Sequence, residues 1–268
     1  MTPGPAARRW AEELAAWAIP PEILERAPES PWGCPPALFA HAAEEAVAGS
    51  EAPSPSTRRA LEALPEGGSV LDVGVGGGAA SLPLAPPAAR ITGVDESPRM
   101  LAAFAALAER MGVEHDEIEG TWPEAVSRVG PADVVVCHHV FYNAPDLADF
   151  VEALTGRARR RVVVELTGVH PQASLDELWR RFHGIDRPAG PTPDDALAVL
   201  TELGLDAGME RWEAPSRWSG VPRGELVAFT RRRLCLPAER DAEVDAALDA
   251  SFALGARPLV TLWWPGQA

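Results

Sequence analysis

Lysine is absent: all 24 basic residues are arginine, set against 39 acidic ones, and the formal net charge is −15. Such a surface repels phosphate backbones unless basic charge is concentrated somewhere. The dense basic runs are Arg157 to Arg161 and Arg231 to Arg233. Both read as solvated ends of helices or strands, so nucleic acid is a disfavoured partner. Cysteine is scarce. Cys34, Cys137 and Cys235 are far apart, odd in number and form no CxxC pair, which argues against a zinc knuckle or a disulfide framework. Cys137 lies in an apolar run and reads as a buried strand residue. Long hydrophobic runs are missing too, and none reaches the length of about 18 residues needed to suggest a membrane span. The first residues carry Arg8, Arg9, Glu12 and Glu13 among alanines and lack the basic-then-apolar order of a secretory signal. A cytoplasmic protein is expected.

What is present is ordinary for a globular protein with a sizeable core. The 268 residues, 46% of them hydrophobic, suffice for one large α/β domain or one domain with a modest lid. Residues 1–66 read as a helical cover broken by proline. Trp10, Leu14 and Trp17 share a helix face, Pro20 and Pro21 end that helix, and Pro35 and Pro36 open another through Phe39, Ala42 and Ala46. Residues 49–56 have loop composition, and a short helix spans Arg58 to Leu64.

From Ser69 the pattern alternates. Strands are expected at Ser69–Val73, Arg90–Asp95, Val113–Ile118, Asp133–His138 and Arg161–Thr167, with helices at Ser97–Met111 and Asp146–Arg157 between them. Such alternation implies parallel strands joined by right-handed crossovers. Val134 to Val136 and Val162 to Val164 are continuous apolar runs, as central strands covered on both faces require. Further on, Leu175–Phe182 and Asp194–Leu203 read as helices, the second with Thr192 as N-cap. Ala207–Trp212 reads as a strand, Pro222–Leu234 and Pro237–Ala250 as two helices, and Arg257–Trp264 as a last strand.

The strongest local signal is Val70-Leu71-Asp72-Val73-Gly74-Val75-Gly76-Gly77-Gly78-Ala79. An apolar strand runs into a glycine-rich turn, and a helix is expected to follow. Glycine lets a ligand lie against the backbone and tolerates positive φ, and a helix N-terminus would offer unpaired N–H groups to an anion. Two carboxylates make the pattern specific. Asp72 sits at the strand end, and Asp95 ends the next strand, where it can accept bonds from both ribose hydroxyls of an adenosine ligand.

These residues resemble the class I S-adenosylmethionine-dependent methyltransferases. Asp72-x-Gly74-x-Gly76-x-Gly78 matches the family's first motif, Asp95 its acidic residue after the second strand, and Val134 to Phe141 its fourth-strand motif with a His-rich turn. The resemblance is close over Ser69 to Thr167. It implies a Rossmann-like α/β fold with a seven-stranded, mostly parallel sheet, the last strand antiparallel between the fifth and sixth. Residues 67–268 would form that domain, with 1–66 as an N-terminal helical extension and 216–250 as a helical insertion before the last strand. Asp72, Gly74, Gly76, Gly78, Asp95 and His138 would then line the S-adenosylmethionine site. One departure is Glu119-Gly120-Thr121-Trp122, with threonine where the family often has aspartate. Adenine contact is expected from the Thr121 and Trp122 backbone, with the Trp122 ring on the base or, alternatively, in the core.

The implied reaction is in-line methyl transfer, in which the protein aligns the acceptor and excludes water. His138 and His139 are the candidate bases; one capping a turn and the other packing is the competing reading. Tyr142 and Asn143 are candidates to orient an acceptor. Trp32 to His41, Trp179 to His183 and Trp218 to Leu234 are candidate lid segments, with core packing as the alternative for their aromatics. A small-molecule acceptor is expected, and no metal. Two other functions stay open at this point: an NAD(P)-dependent oxidoreductase, since Gly74-x-Gly76-x-x-Ala79 satisfies a loose dinucleotide pattern, and a non-catalytic S-adenosylmethionine-binding protein. Asp72 argues against the first, because a carboxylate would repel a pyrophosphate.

Overall fold

The computed structural model describes residues 3–32, 43–44, 46–49, 52–216, 221–248 and 255–268. Its sheet is built from β1 (Gly68–Val73), β2 (Ala88–Asp95), β3 (Glu114–Glu119), β4 (Ala132–His138), β5 (Ala158–Thr167), β6 (Gly208–Ala214) and β7 (Arg257–Pro265). The strand order is β3-β2-β1-β4-β5-β7-β6. β7 runs antiparallel to both β5 and β6, and the other pairings are parallel. This is the seven-stranded Rossmann-like sheet anticipated from the sequence, with the last strand inserted where expected. The chain reverses its direction of winding between β1 and β4, and in open α/β sheets ligands bind in the crevice at the carboxyl ends of such strands.

The described helices are α1 (Pro5–Ala15), α2 (Pro21–Leu24), α3 (Pro55–Leu61), α4 (Pro98–Met111), α5 (Leu147–Thr155), α6 (Asp176–His183), α7 (Pro193–Glu202), α8 (Arg223–Arg233) and α9 (Asp241–Ala247). Proline opens α1, α3, α4 and α7, where its missing N–H costs nothing and its fixed φ suits a helix start. Thr192 and Asp195 form a reciprocal capping box at α7, confirming Thr192 as the N-cap. Of the helix expected from Pro35 through Phe39, Ala42 and Ala46, residues 35–42 lie outside the described residues, as does Trp218, whereas residues 43–44 and 46–48 are helical. Trp17 falls beyond the end of α1 rather than on it.

Both faces of the sheet are covered, which explains its apolar central strands. On one face Leu71, Val135, Cys137, Val162 and Leu262 pack under α1, α5 and α7. On the other, Val70, Val134, Val136 and Val163 meet Ala60 of α3 and Phe104 of α4. Each buried valine or leucine contributes about 1.5–3 kcal/mol. A third cluster joins Ile19 and Ile23 to Leu178 and Trp179 of α6 and to Leu226, Leu234 and Val244. The N-terminal segment is therefore divided. α1 is tied to the main layer by Trp10, whose indole N–H donates to Ala144 O at 2.9 Å, and by Glu202, which accepts from the Ala6 N–H at 2.8 Å. α2 joins the helices inserted between β6 and β7.

One basic run departs from expectation. Arg231 is buried, pairing with Glu29 at 3.0 Å and Asp241 at 2.8 Å. It is an internal clamp between the insertion and the N-terminal segment, not a solvated end, because two carboxylates offset its desolvation.

Candidate active site

β1 delivers its last residues to the centre of the sheet's carboxyl edge. The loop that follows is pinned by the Gly74 and Val75 N–H groups, which donate to Val94 O at 2.8 and 3.0 Å. Gly74 has φ 75°, and a Cβ there would lie 2.4 Å from Val140 Cγ2. Glycine is thus required where the β1 and β4 loops touch. Gly76 has φ 52°, and its N–H donates to Asp95 Oδ2 at 2.9 Å. Gly78 packs against Leu82 and Phe104.

The helix expected after this loop is not there. Residues 79–87 form turns and one short 3-10 segment, Leu82–Leu84. Pro83, Pro86 and Pro87 remove three N–H donors and disfavour helical conformation in the residues before them. The loop therefore does not run directly into a helix N-terminus.

Asp72 is fully buried. Its Oδ2 accepts from Ser81 Oγ at 2.6 Å, whereas Oδ1 has no partner. Burial pushes its pKa up to about 7; the Ser81 bond opposes this and the charge of Asp95 adds to it. Asp95 is tethered differently, Oδ1 accepting from Ser97 N–H and Oδ2 from Gly76 N–H, both at 2.9 Å. Each oxygen keeps a lone pair for a further donor.

Next to Asp95, the Gly120 N–H donates to Asp95 O at 2.9 Å, bringing the β3 loop to the same edge. Thr121 is exposed and its hydroxyl donates to Glu124. Trp122 is half-buried, and its indole N–H donates to Phe150 O at 3.3 Å. Its ring packs along the core at α5.

At the end of β4 the two histidines converge on one carboxylate. Glu165 of β5 is the register partner of His138. His139 Nε2 lies 3.1 Å from Glu165 Oε1, and His138 Nδ1 lies 4.0 Å from Oε2. Ser56 Oγ donates to Glu165 Oε2 at 2.7 Å and contacts Thr261 Oγ1 at 2.7 Å. Burial alone would raise the Glu165 pKa, but His138, His139 and Ser56 together hold it down to about 2. Burial lowers His138, with Glu165 opposing and His139 reinforcing, and leaves its Nε2 without a partner. Tyr142 is buried and its hydroxyl donates to Thr167 O at 3.0 Å, so that hydroxyl is already engaged. Asn143 is exposed.

Glu165, Ser56 and Thr261 were missed by sequence reasoning. A signal existed for the first: Glu165 is the one charge in the apolar run Val162-Val163-Val164-Glu165-Leu166. Among the lid candidates, Trp179 is fully buried in the third cluster with Leu226 and Leu234, and Trp32 is half-exposed; residues 33–41 lie outside the described set.

Residues 70–160 match the family model described as a methyltransferase domain. A protein of Haemophilus influenzae named only as uncharacterized is 30% identical over 149 residues, covering 55% of this chain and 54% of that one. A ubiquinone biosynthesis O-methyltransferase of Azorhizobium caulinodans is 34% identical over 191 residues, covering 70% of this chain and 61% of that one. The chain thus spans about half the length of the first of these relatives and under two thirds of the second. Among solved structures, the YcgJ protein of Bacillus subtilis superposes with a TM-score of 0.54 at 17% identity, covering 80% of this chain and 98% of that one. At that identity the likeness is one of fold.

Proposed function

We propose that the protein is a class I S-adenosylmethionine-dependent methyltransferase that transfers the methyl group to a small-molecule acceptor, a reading supported by the match of residues 70–160 to the methyltransferase-domain model. The observation that carries this reading is the unpartnered Oδ1 of Asp72, buried beneath the glycine loop beside Asp95. An ionised buried carboxylate is costly without a cation, and the ammonium of the cofactor's methionine moiety is such a cation. Asp95 has lone pairs free for two ribose hydroxyls. Gly74, Gly76 and Gly78 give the ligand a path along bare backbone. Thr121 and Trp122 border the adenine end, and His138 closes the β4 side.

When bound, S-adenosylmethionine supplies an electrophilic methyl group on a sulfonium. The chain's part is positional: Asp72 holds the ammonium end and Asp95 the ribose, and the β4 turn meets the acceptor. The name of the Azorhizobium relative, an O-methyltransferase, favours oxygen as the methylated atom. The acidic surface, with its −15 charge, keeps nucleic acid disfavoured. No described helix is long and apolar enough to cross a membrane, and a cytoplasmic small-molecule enzyme remains the reading.

The dinucleotide alternative loses its main physical support. Pyrophosphate sites in Rossmann folds use the helix N-terminus after the glycine loop, and here prolines replace that helix. The test is calorimetric titration of the full chain with S-adenosylmethionine, S-adenosylhomocysteine and NAD. Saturable binding of the first two and none of the third is expected. Tight NAD binding with no response to either sulfur ligand would overturn the reading.

A further inference from the structure

Glu165 has no evident reason to be charged if its role is only to fill the core. Its neighbours along β5, Val162, Val163, Val164 and Leu166, are fully buried and apolar, and replacing a buried ion pair by apolar residues is often neutral or stabilising. Each of its two oxygens nonetheless has a polar partner. Oε2 takes the Ser56 hydroxyl at 2.7 Å, and Oε1 faces His139 Nε2 at 3.1 Å.

His139 is held by the same residue a second way: its N–H donates to Glu165 O at 2.7 Å. It does so with φ 62°, a left-handed conformation that a residue other than glycine adopts only where its surroundings impose it. The imidazole is 29% exposed against 9% for the carboxylate behind it. It therefore stands between a buried charge and solvent. Its turn borders the glycine loop, since Val140, the next residue, leaves no room for a Cβ on Gly74. The charged and titratable groups around the pair are His138 from β4 and, across Thr261 of β7, Glu210 of β6, which is turned toward Arg58 and Arg59 of α3. Among the described residues no cluster of histidine, cysteine and carboxylate could hold a metal ion.

We propose that Glu165 positions His139 as the base that removes the acceptor's proton, and that the acceptor therefore carries a weakly acidic hydroxyl. This rests on the methyl-transfer reading above. With Nε2–H donated to Glu165, the lone pair sits on Nδ1. As the acceptor oxygen forms its bond to the methyl carbon, the carbon–sulfur bond breaks and its pair returns to sulfur. The O–H proton moves to Nδ1, the imidazolium is held against the Glu165 carboxylate, and its exposed edge returns the proton to water. A carboxylate acceptor would need no such base and would be repelled by Glu165.

Two measurements test this. In protein carrying 15N-labelled histidine, NMR should show the neutral His139 ring as the Nε2–H tautomer. The opposite tautomer overturns the proposal, and it is read in the unsubstituted protein whatever a variant's stability. Second, transfer of labelled methyl from S-adenosylmethionine is followed with catechol and with benzoate as probes. Transfer to catechol is expected to fall about 10²–10⁴-fold in His139→Gln and at least about tenfold in Glu165→Gln, in kcat rather than KM, with the rising limb of the pH profile lost in the first. Transfer to benzoate and not catechol, or unchanged turnover in His139→Gln, overturns it; if neither probe is methylated, the NMR result decides. Calorimetry separates the two readings: loss of S-adenosylmethionine binding in the unsubstituted protein sinks the methyl-transfer reading. Unchanged binding in both variants is expected if the pair serves the acceptor.

Discussion

Asp72 and Glu165 are both buried carboxylates near the carboxyl ends of strands, yet their surroundings drive them in opposite directions. Asp72 has one hydroxyl partner and one bare oxygen, and burial pushes it up to about 7. Glu165 has Ser56 and two histidines, and despite its burial it is held down to about 2. A carboxylate satisfied from within is finished as a structural unit and can hold something else in place. One left half-satisfied is poised for a ligand. Divergent environments of this kind are how a fold assigns different roles to like groups.

The comparison can be broken most severely at Glu165. Glu165→Ala strips Ser56 and His139 of their shared partner and should cost about 2–4 kcal/mol at neutral pH, read by denaturant unfolding. Because its folded value lies below the unfolded 4.5, that contribution is present above pH 4.5 and is lost as pH falls toward about 2. A variant gap unchanged between pH 7 and pH 3 would contradict the assignment. At Asp72 the sign reverses. Its folded value lies above the unfolded 3.8, so the ionised form costs stability as pH rises from 3.8 to about 7. Asp72→Asn should weaken S-adenosylmethionine binding about 100-fold, roughly 2.7 kcal/mol, while raising Tm by about 2 °C or more at pH 8 and little at pH 4.

Two smaller changes sharpen the contrast. Gly74→Ala forces a Cβ against Val140 at positive φ and should cost about 1–3 kcal/mol, with Val140→Ala restoring only the steric part. Ser81→Ala removes the one bond Asp72 has and should cost about 1 kcal/mol. It should also weaken ligand binding most near neutral pH, where Asp72 then spends more time protonated.

The legible part of this molecule was the part written in local pattern. Alternating apolar runs placed all seven strands to within about three residues, and the Asp-x-Gly-x-Gly-x-Gly run with Asp95 located the β1 and β2 edge. Two things were not legible. The helix after the glycine loop was expected from the general pattern, although Pro83, Pro86 and Pro87 were present to forbid it. The Glu165 network joins residues 56, 139, 165 and 261, and a contact between residues over a hundred positions apart leaves no periodicity to read. Only the lone charge in the β5 run hinted at it. The same holds for Arg231, whose partner Glu29 lies 202 positions away in the chain.

The central claim is that the bare oxygen of Asp72 receives the ligand's cation, and proton linkage tests it directly. S-adenosylmethionine binding would be measured by calorimetry in buffers of different ionisation enthalpy, for the unsubstituted protein and for Asp72→Asn. With Asp72 near 7 in the free protein, the unsubstituted protein should release about half a proton more per ligand than the variant at pH 7, rising toward about one at pH 6. Equal proton release by the two proteins at both pH values would contradict the account.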